Sequence, residues 1–372
     1  MAFSLSRNAQ LFVSYVDSSW DGNGTNLVDA DTFEIPVLDG FSFTQATGNQ
    51  IVTLNESGTS PNRGQRAFNT SLEAVEVSFQ TYLRPFTDAA NNDLHNCTEA
   101  ILWNALVSDT RSDNTDDNGG INYDSDNFTI TTNDSEKNQL LKLYAYFHFT
   151  DSGLTYKLSE FCVDSVTIDF DIDGIAMASW TGYATSISEV NTSYPDTSGT
   201  DYVPANVDAD FILNRLTTLT ATSSVSGSSK AYTFAITGGS FTYSNNITYT
   251  IPEELGKVND PVQHFTGTRA ISGSLTAYLA SGGTLDTEQV YADMLTDINS
   301  ATPEITNSFD IDLKIGGATA PYVQLNIDQA HFELPTVDVA DVVGVTMNFT
   351  GLESSLGSSD EMTIEYVGST ST

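Results

Sequence analysis

A chain of 372 residues with 49 acidic and 13 basic side chains carries a formal net charge of −36. This balance excludes a protein that holds nucleic acid through its own positive charge, because such binding requires Lys and Arg to neutralise phosphates. A hydrophobic content of 39% excludes a wholly disordered chain. The composition leaves open adaptation to a salty habitat as a second cause of the acidity.

The N-terminal sequence MAFSLSRNAQLFVSYVD has no basic n-region and no long apolar run. The sequence therefore predicts neither an export signal nor insertion into a membrane. The two cysteines, Cys97 and Cys162, are too few for a disulfide framework. We expect both to be reduced thiols in a protein made in a cytoplasm.

Alternating strands dominate the first half of the chain. Period-two patterns predict strands at 40–54 and 74–83, and apolar spacings of three and four predict a helix at 98–107 that begins with Thr98 as N-cap. A strand pair follows at 163–182. In its VTIDFDID segment, strand alternation places Val166, Ile168, Phe170 and Ile172 on one face and Thr167, Asp169, Asp171 and Asp173 on the other.

The second half repeats these blocks in the same order, at 239–251, 270–279, 287–298 and 332–351, and its helix is also predicted to begin with a Thr, Thr287, as N-cap. Four matched blocks predict two tandem domains, at 1–190 and 207–372, joined by a linker at 191–206 that is rich in Ser, Thr, Gly and Pro. Each domain is expected to be a β-sandwich or barrel with one flanking helix. The first domain alone carries a long acidic insertion at about 108–138, which we expect to lie outside the core.

Two further strands carry rows of small or acidic residues. Strand alternation places Val75, Val77, Phe79, Ile271 and Leu275 towards a core, and Glu76, Ser78, Gln80, Ser272, Ser274 and Thr276 on the opposite face. No Lys or Arg interrupts these polar rows.

The sequence offers little for catalysis or metal binding. His95, His148, His264 and His331 lack metal-ligand spacing, and there is no phosphate-binding glycine loop or nucleophile elbow. Two acidic loops, at 114–125 and 17–28, approach a calcium-loop pattern but close on Ser125 and Val28 instead of Glu. The aspartates at 169, 171 and 173 are an alternative cation site. The sequence therefore predicts no catalytic residue, no bound metal and no cofactor.

From LSRNAQLFVS to MNFTGLESS, the order of strands, helix and closing hairpin in duplicate resembles phage tail tube proteins, in particular those with two fused tube domains. The resemblance implies sheets joined into a barrel around a channel, in rings of six domain positions. Three copies of a two-domain chain would fill one ring, and the rings would stack into a tube. It further implies a virion protein assembled in the host cytoplasm, with partners that include the tape measure protein, the tail terminator and distal tail or baseplate proteins. Viral DNA would pass without specific binding.

The lumen would be lined by Glu76, Ser78, Gln80, Ser272, Ser274 and Thr276, with Asp169, Asp171, Asp173 and Asp338 behind them.

Three alternatives remain at this point. A secreted adhesin or surface-layer protein with two calcium-stabilised β-sandwich domains would require an export signal or an anchor. A tail terminator or decoration protein would share the composition, although terminators do not usually carry tandem copies. An enzyme acting on polysaccharide would require a carboxylate pair that stands out from the general acidity.

Overall fold

The chain is described by a computed structural model, which shows a mainly β fold. It describes residues 5–16, 32–53, 64–88, 93–112, 120–132, 139–190, 202–203, 205–206, 208–223, 229–282, 286–299, 308–339 and 342–369. In this part of the chain there is one α-helix in each half, as predicted.

The elements of the first half are a 3-10 turn Ser6–Asn8, β1 Ala9–Tyr15, β2 Thr32–Ile35, β3 Ser42–Thr53, β4 Gln65–Tyr82, β5 Pro85–Asp88, β6 Leu94–Cys97, α1 Ala100–Val107, β7 Ile121–Tyr123, β8 Phe128–Thr131, β9 Leu143–Phe149, β10 Leu154–Asp171, β11 Met177–Ala184 and β12 Ser186–Val190. Those that follow are β13 Tyr202–Val203, a 3-10 turn Asn214–Leu216, β14 Thr218–Ser223, β15 Lys230–Thr233, β16 Ile236–Ser244, β17 Thr248–Thr250, β18 Gln263–Phe265, β19 Ala270–Tyr278, α2 Thr287–Ile298, β20 Ser308–Ile315, β21 Tyr322–Phe332, β22 Thr336–Asp338, β23 Gly344–Gly351 and β24 Thr363–Val367.

One long antiparallel sheet runs through both halves of the chain. Its strand order is β3–β4–β11–β10–β16–β19–β23–β22. The halves join where β10 pairs with β16. Along the sheet, the four strands of the first half have the order β3–β4–β11–β10, and those of the second half have the matching order β16–β19–β23–β22. Two copies of one unit would produce this arrangement, so it supports our proposal of tandem domains at 1–190 and 207–372.

Two outer sheets cover the apolar face of the long sheet. The first has the order β12–β10–β9–β1–β2–β13, and the second has the order β15–β14–β20–β21–β24–β8–β7. Strand β10 belongs to both the long sheet and the first outer sheet, because its 18 residues pair with β9 and β12 at one end and with β11 and β16 at the other. The predicted linker contains β13, which pairs in parallel with β2.

Between these sheets the buried side chains of both halves form one large hydrophobic cluster. Helix α1 lies in its middle with every residue buried. Trp103 packs edge to face on Trp180 of β11, with ring centroids 5.0 Å apart, and its Nε1 donates to the Tyr366 hydroxyl of β24 at 2.9 Å. The helix thereby ties a first-half strand of the long sheet to the last strand of the chain.

Helix α2 lies at the surface and buries only one stripe, formed by Thr287, Val290 and Met294. Its N-cap is Asp286, whose carboxylate accepts from the Gln289 amide, so the expectation that Thr287 is the cap is wrong. The cap position of α1 is likewise Glu99 rather than Thr98. Among the described residues, no helix combines the length and apolar character that crossing a bilayer requires.

The acidic insertion differs from the expectation that it lacks core-forming residues. Strands β7 and β8 form a hairpin within it, and β8 pairs with β24 of the second half. Ile121, Tyr123, Phe128 and Ile130 alternate into the core and are at most 7% exposed. The alternation was short and surrounded by Asp and Asn, which concealed it, and residues 113–119 and 133–138 of the insertion lie outside the described residues.

Candidate functional site

The long sheet has one apolar face and one polar face. Directly opposed residues of neighbouring strands share a face, so the strand registers identify this side of the sheet; they also place Tyr82, Met177 and Tyr183 on it, and the name polar face is kept for its polar and glycine members. We use this name for Ser42 and Thr44 of β3, Glu76, Ser78 and Gln80 of β4, Ser179 and Thr181 of β11, Ser165, Thr167, Asp169 and Asp171 of β10, Gly238, Ser240, Thr242 and Ser244 of β16, Ser272, Ser274 and Thr276 of β19, Thr346, Asn348 and Thr350 of β23, and Thr336 and Asp338 of β22.

This face brings together the residues that the sequence predicted for the lumen, with one exception. Those on the face are Glu76, Ser78, Gln80, Ser272, Ser274, Thr276, Asp169, Asp171 and Asp338. They come from four strands and both halves of the chain, and the structure places them on one continuous surface.

Asp173 is the exception. Strand β10 ends at Asp171, so the alternation predicted through residue 173 stops two residues early. Ile172 is 43% exposed instead of facing the core, and Asp173 pairs with Arg215 at 3.4 Å. Both side chains of this pair are largely exposed, so it contributes little to stability.

The apolar residues that alternate with the polar face along β4 and β19 lie in the core, as predicted. Val75, Val77, Phe79, Ile271 and Leu275 are all 3% exposed or less. Two glycines on neighbouring strands leave room for aromatic rings. A Cβ on Gly239 would lie 2.6 Å from the Phe170 ring, and one on Gly273 would lie 2.4 Å from the Phe349 ring.

Cross-strand hydroxyl pairs run along the polar face. The Ser42 and Ser78 hydroxyls lie 2.8 Å apart, those of Ser165 and Thr181 2.7 Å, those of Thr167 and Thr242 3.0 Å, and those of Ser240 and Ser274 3.1 Å. Sequence reasoning missed this feature, because the pairing partners are far apart in the chain. Its one sequence signal is the recurrence of Ser and Thr at every second position.

The charge on the polar face has one sign. Its charged members are Glu76, Asp169, Asp171 and Asp338, all of them exposed, and none of the residues that define it is Lys or Arg. Such a surface repels phosphate groups and offers them no charge-assisted hydrogen bond.

A buried Cys–His contact lies away from this face. The Cys162 Sγ is 3.4 Å from His264 Nδ1, and His264 Nε2 accepts from the Leu140 amide at 2.9 Å. Burial raises the pKa of Cys162 to about 12 and lowers the pKa of His264 to about 4. Both groups are therefore neutral near pH 7. Because a thiolate is the reactive form of cysteine, this geometry favours a structural contact.

A groove of about 810 Å³ lies between the end of α1 and the 351–361 loop. It contains a cation, Arg269, which the Glu361 carboxylate binds at 2.6 and 2.7 Å. Because this carboxylate neutralises the guanidinium, the groove does not present a free positive charge to an anion.

In the described part of the chain, no group of three or more His, Cys, Asp or Glu side chains has the geometry to hold a metal ion. This includes the aspartates at 169, 171 and 173. The calcium-loop candidates at 114–125 and 17–28 fall largely outside the described residues.

A mainly β fold whose long sheet ends, within the described residues, in the edge strands β3 and β22 fits the class of structural proteins that assemble through their sheets. The chain is 33% identical over 367 residues to tail tube protein pb6 of Escherichia phage T5, and this match covers 97% of the chain and 75% of that protein. The chain therefore belongs to the family of phage tail tube proteins, and its place is the virion tail. The resemblance to phage tail tube proteins is confirmed, and the fusion of two tube domains in one chain stays a prediction. Models of known protein families give no match.

Proposed function

We propose that this chain builds the tail tube as stacked trimeric rings, in which each half of the chain occupies one of six positions around a channel. The single observation that carries the proposal is the junction of β10 with β16, which joins the two halves edge to edge in one sheet. Repeating this junction between chains would close the sheet into a ring and remove its edges. Contacts of this kind are heterologous, as a cyclic ring requires.

The polar face is the proposed lumen. The apolar face packs on the outer sheets, so the polar face is the side that is left to line a channel. Its carboxylates would keep DNA near the axis, and salt would screen the repulsion within about 8 Å at physiological ionic strength. The absence of Lys and Arg from its defining residues would let phosphates pass without being held. The chain would thus conduct DNA without binding it and would carry out no catalysis.

Stacking of rings has its own candidate surface. The outer part of the β3–β4 hairpin extends beyond the sheet, and it exposes Ile51, Val52 and Phe68 by 42–58%. Val52 and Phe68 share one face of the hairpin and Ile51 lies on the other, so both faces expose apolar side chains that suit burial against another subunit. We propose that it contacts a neighbouring ring. The remaining partners would be the tape measure protein inside the tube, the tail terminator at one end and the distal tail or baseplate proteins at the other, all assembled in the host cytoplasm.

The test introduces positive charge into the proposed lumen. Virions would carry Glu76→Lys and Ser78→Lys, and a matched control would carry Glu189→Lys and Ser186→Lys, which are exposed on the outer strand β12. We expect tubes of unchanged diameter in both by negative-stain imaging. DNA release should be slower only in the lumen variant, because repeated Lys contacts in every ring would retain phosphates.

Normal release kinetics from intact tubes of the lumen variant would overturn the assignment of the polar face. A purified protein that forms neither rings nor tubes would overturn the assembly proposal itself.

A further inference from the structure

We propose that one chain pairs with the next through the outer edge of β22 and the outer edge of β3, in antiparallel register with Asp338 opposite Ser42, Val337 opposite Phe43 and Thr336 opposite Thr44. This inference rests on the proposed ring and names its chain-to-chain contact. Within the described residues, β3 pairs with β4 on one side and β22 pairs with β23 on one side, so each has an unpaired edge. The partner of these edges is a second copy of the same chain.

The register comes from the junction inside the chain. There, the tripeptide Thr167–Ile168–Asp169 of β10 pairs with Ser240–Phe241–Thr242 of β16, with Asp169 opposite Ser240. The two unpaired edges carry closely similar tripeptides, Thr-Val-Asp at 336–338 and Ser-Phe-Thr at 42–44. The two free edges thus carry the same kinds of residue, in the same order, as the two strands that pair at the internal junction.

The strands that flank these tripeptides also correspond. Ser42 lies opposite Ser78 of β4, and Ser240 lies opposite Ser274 of β19. In both cases the two serine hydroxyls are in contact. Ser42 and Ser240 therefore occupy the same place in their halves, and the register of the internal junction can be transferred to the free edges.

Apolar side chains that are exposed at the free edge support the proposal that a second chain covers this edge. At the internal junction Ile168 is 2% exposed and Phe241 is 1% exposed, whereas Val337 at the free edge is 45% exposed. In the proposed register Val337 would lie against Phe43, which is half-buried in the isolated chain. Pairing would bury both side chains, which stabilises the contact through the hydrophobic effect.

The next pair along the edge also brings an exposed apolar side chain against an aromatic ring. At the internal junction the large Phe170 lies opposite Gly239. In the same register Val339, which is 81% exposed, would lie opposite Phe41. The aromatic ring thus lies on β10 at the internal junction and on β3 at the proposed contact, where it meets Val339 and not a glycine.

The test uses pairs of cysteines. Opposed positions of antiparallel strands have Cβ atoms roughly 4.5–5.5 Å apart, while diagonal positions are roughly 7–8 Å apart. A protein with Thr44→Cys and Thr336→Cys should therefore form disulfides between chains under mild oxidation. On a non-reducing gel we expect dimers and trimers, and no larger species. The native Cys97 and Cys162 are 3% and 0% exposed and should not contribute.

Two control proteins calibrate this result. Thr167→Cys with Thr242→Cys places cysteines at the internal junction, where the hydroxyls lie 3.0 Å apart, and should give a disulfide within one chain. Ser42→Cys with Thr336→Cys changes the register by two residues and should cross-link at least tenfold more slowly. Rings that cross-link through Ser42→Cys but not through Thr44→Cys would overturn the register.

A second measurement does not depend on disulfides. Val337→Lys should prevent chain-to-chain pairing and leave a folded monomer with an unchanged unfolding temperature. Ile298→Lys is the matched control, because Ile298 is also 45% exposed but lies at the C-terminal end of α2, which belongs to neither edge strand. Rings that persist in Val337→Lys would overturn the edge assignment while leaving the tube proposal intact. Failure of the unmodified protein to form rings would count against both.

Discussion

At the scale of single residues, the buried carboxyl group of Glu99 stands out. Glu99 is 0% exposed at the start of α1, and its Oε2 accepts from the Thr98 hydroxyl at 2.7 Å. Burial raises the pKa of Glu99 from 4.5 to about 7, against the opposing effect of this hydrogen bond. The protonated acid is therefore the form that the folded chain favours in mildly acidic solution.

This shift predicts how stability depends on pH. The folded state keeps a proton between pH 4.5 and about 7 that the unfolded chain has released, so the Glu99 contribution is fully present below pH 4.5 and is lost as the pH rises to about 7. Glu99→Gln keeps a neutral side chain of the same shape. We expect the unfolding temperature to fall less between pH 5 and pH 8 in Glu99→Gln than in the unmodified protein, measured in the same assembly state. Equal falls in the two proteins would contradict the buried-acid interpretation.

At the scale of elements, strand β19 depends on a residue without a side chain. Gly273 lies opposite Phe349 of β23, whose ring occupies the space that a Cβ would need. Gly273→Val should lower the free energy of unfolding by about 1–3 kcal/mol, the range for overpacked cores. Urea or thermal unfolding would measure it. Ser274→Ala, on the polar face of the same strand, is the control and should have little effect.

A further substitution tests whether this effect comes from crowding. Adding Phe349→Ala to Gly273→Val removes the ring that the new side chain meets. The double variant should be more stable than the sum of the two single effects predicts, since residues in contact are not additive. Simple additivity would show that the crowding comes from the Ser240 backbone oxygen, which would also lie 2.4 Å from the Cβ, and not from the ring.

The β7–β8 hairpin is the second element whose role can be tested. Phe128 of β8 is 0% exposed and packs edge to face on Tyr366, with ring centroids 6.0 Å apart. Phe128→Ala should cost about 3–5 kcal/mol of folding stability, as large-to-small changes of buried aromatic residues do. Asn122→Ala, at an exposed position of β7, should be nearly neutral. A neutral Phe128→Ala would restore the view of 108–138 as a loop outside the core.

At the scale of the whole molecule, the net charge of −36 opposes assembly, because every chain in a ring or stack repels its neighbours. Salt shortens the Debye length from roughly 10 Å at 0.1 M to roughly 3 Å at 1 M. We therefore expect the protein concentration needed for tube formation to fall as sodium chloride is raised, as measured by light scattering and negative-stain imaging.

The control for this prediction is magnesium chloride at matched ionic strength. Equal effects of the two salts would indicate general screening of charge. A rise in the required protein concentration with salt would contradict the prediction, because it would mean that ion pairs between chains outweigh the general repulsion.

The sequence by itself determined the features that depend on neighbouring residues. Strand alternation is a property of the backbone, so the rows at 75–80 and 271–276 were assigned to the correct faces without knowledge of their partners. The mainly β fold, the two helices and the family followed from the same local patterns and their order. The acidity of the chain likewise predicts a surface that does not hold DNA, and this stays a prediction.

Only the tertiary structure decided which strands meet and where each one ends. β10 ends at Asp171, where the chain turns towards β11 and Asp173 meets Arg215; the Asp173–Gly174 dipeptide signals a turn but not the residue at which the strand ends. β8 lies in an acidic insertion, yet it is buried because β24, more than 200 residues later in the chain, supplies its partner. The hydroxyl pairs and the β10–β16 junction also join distant segments. Their energies arise from contacts across the fold, so local sequence periodicity does not identify which segments pair.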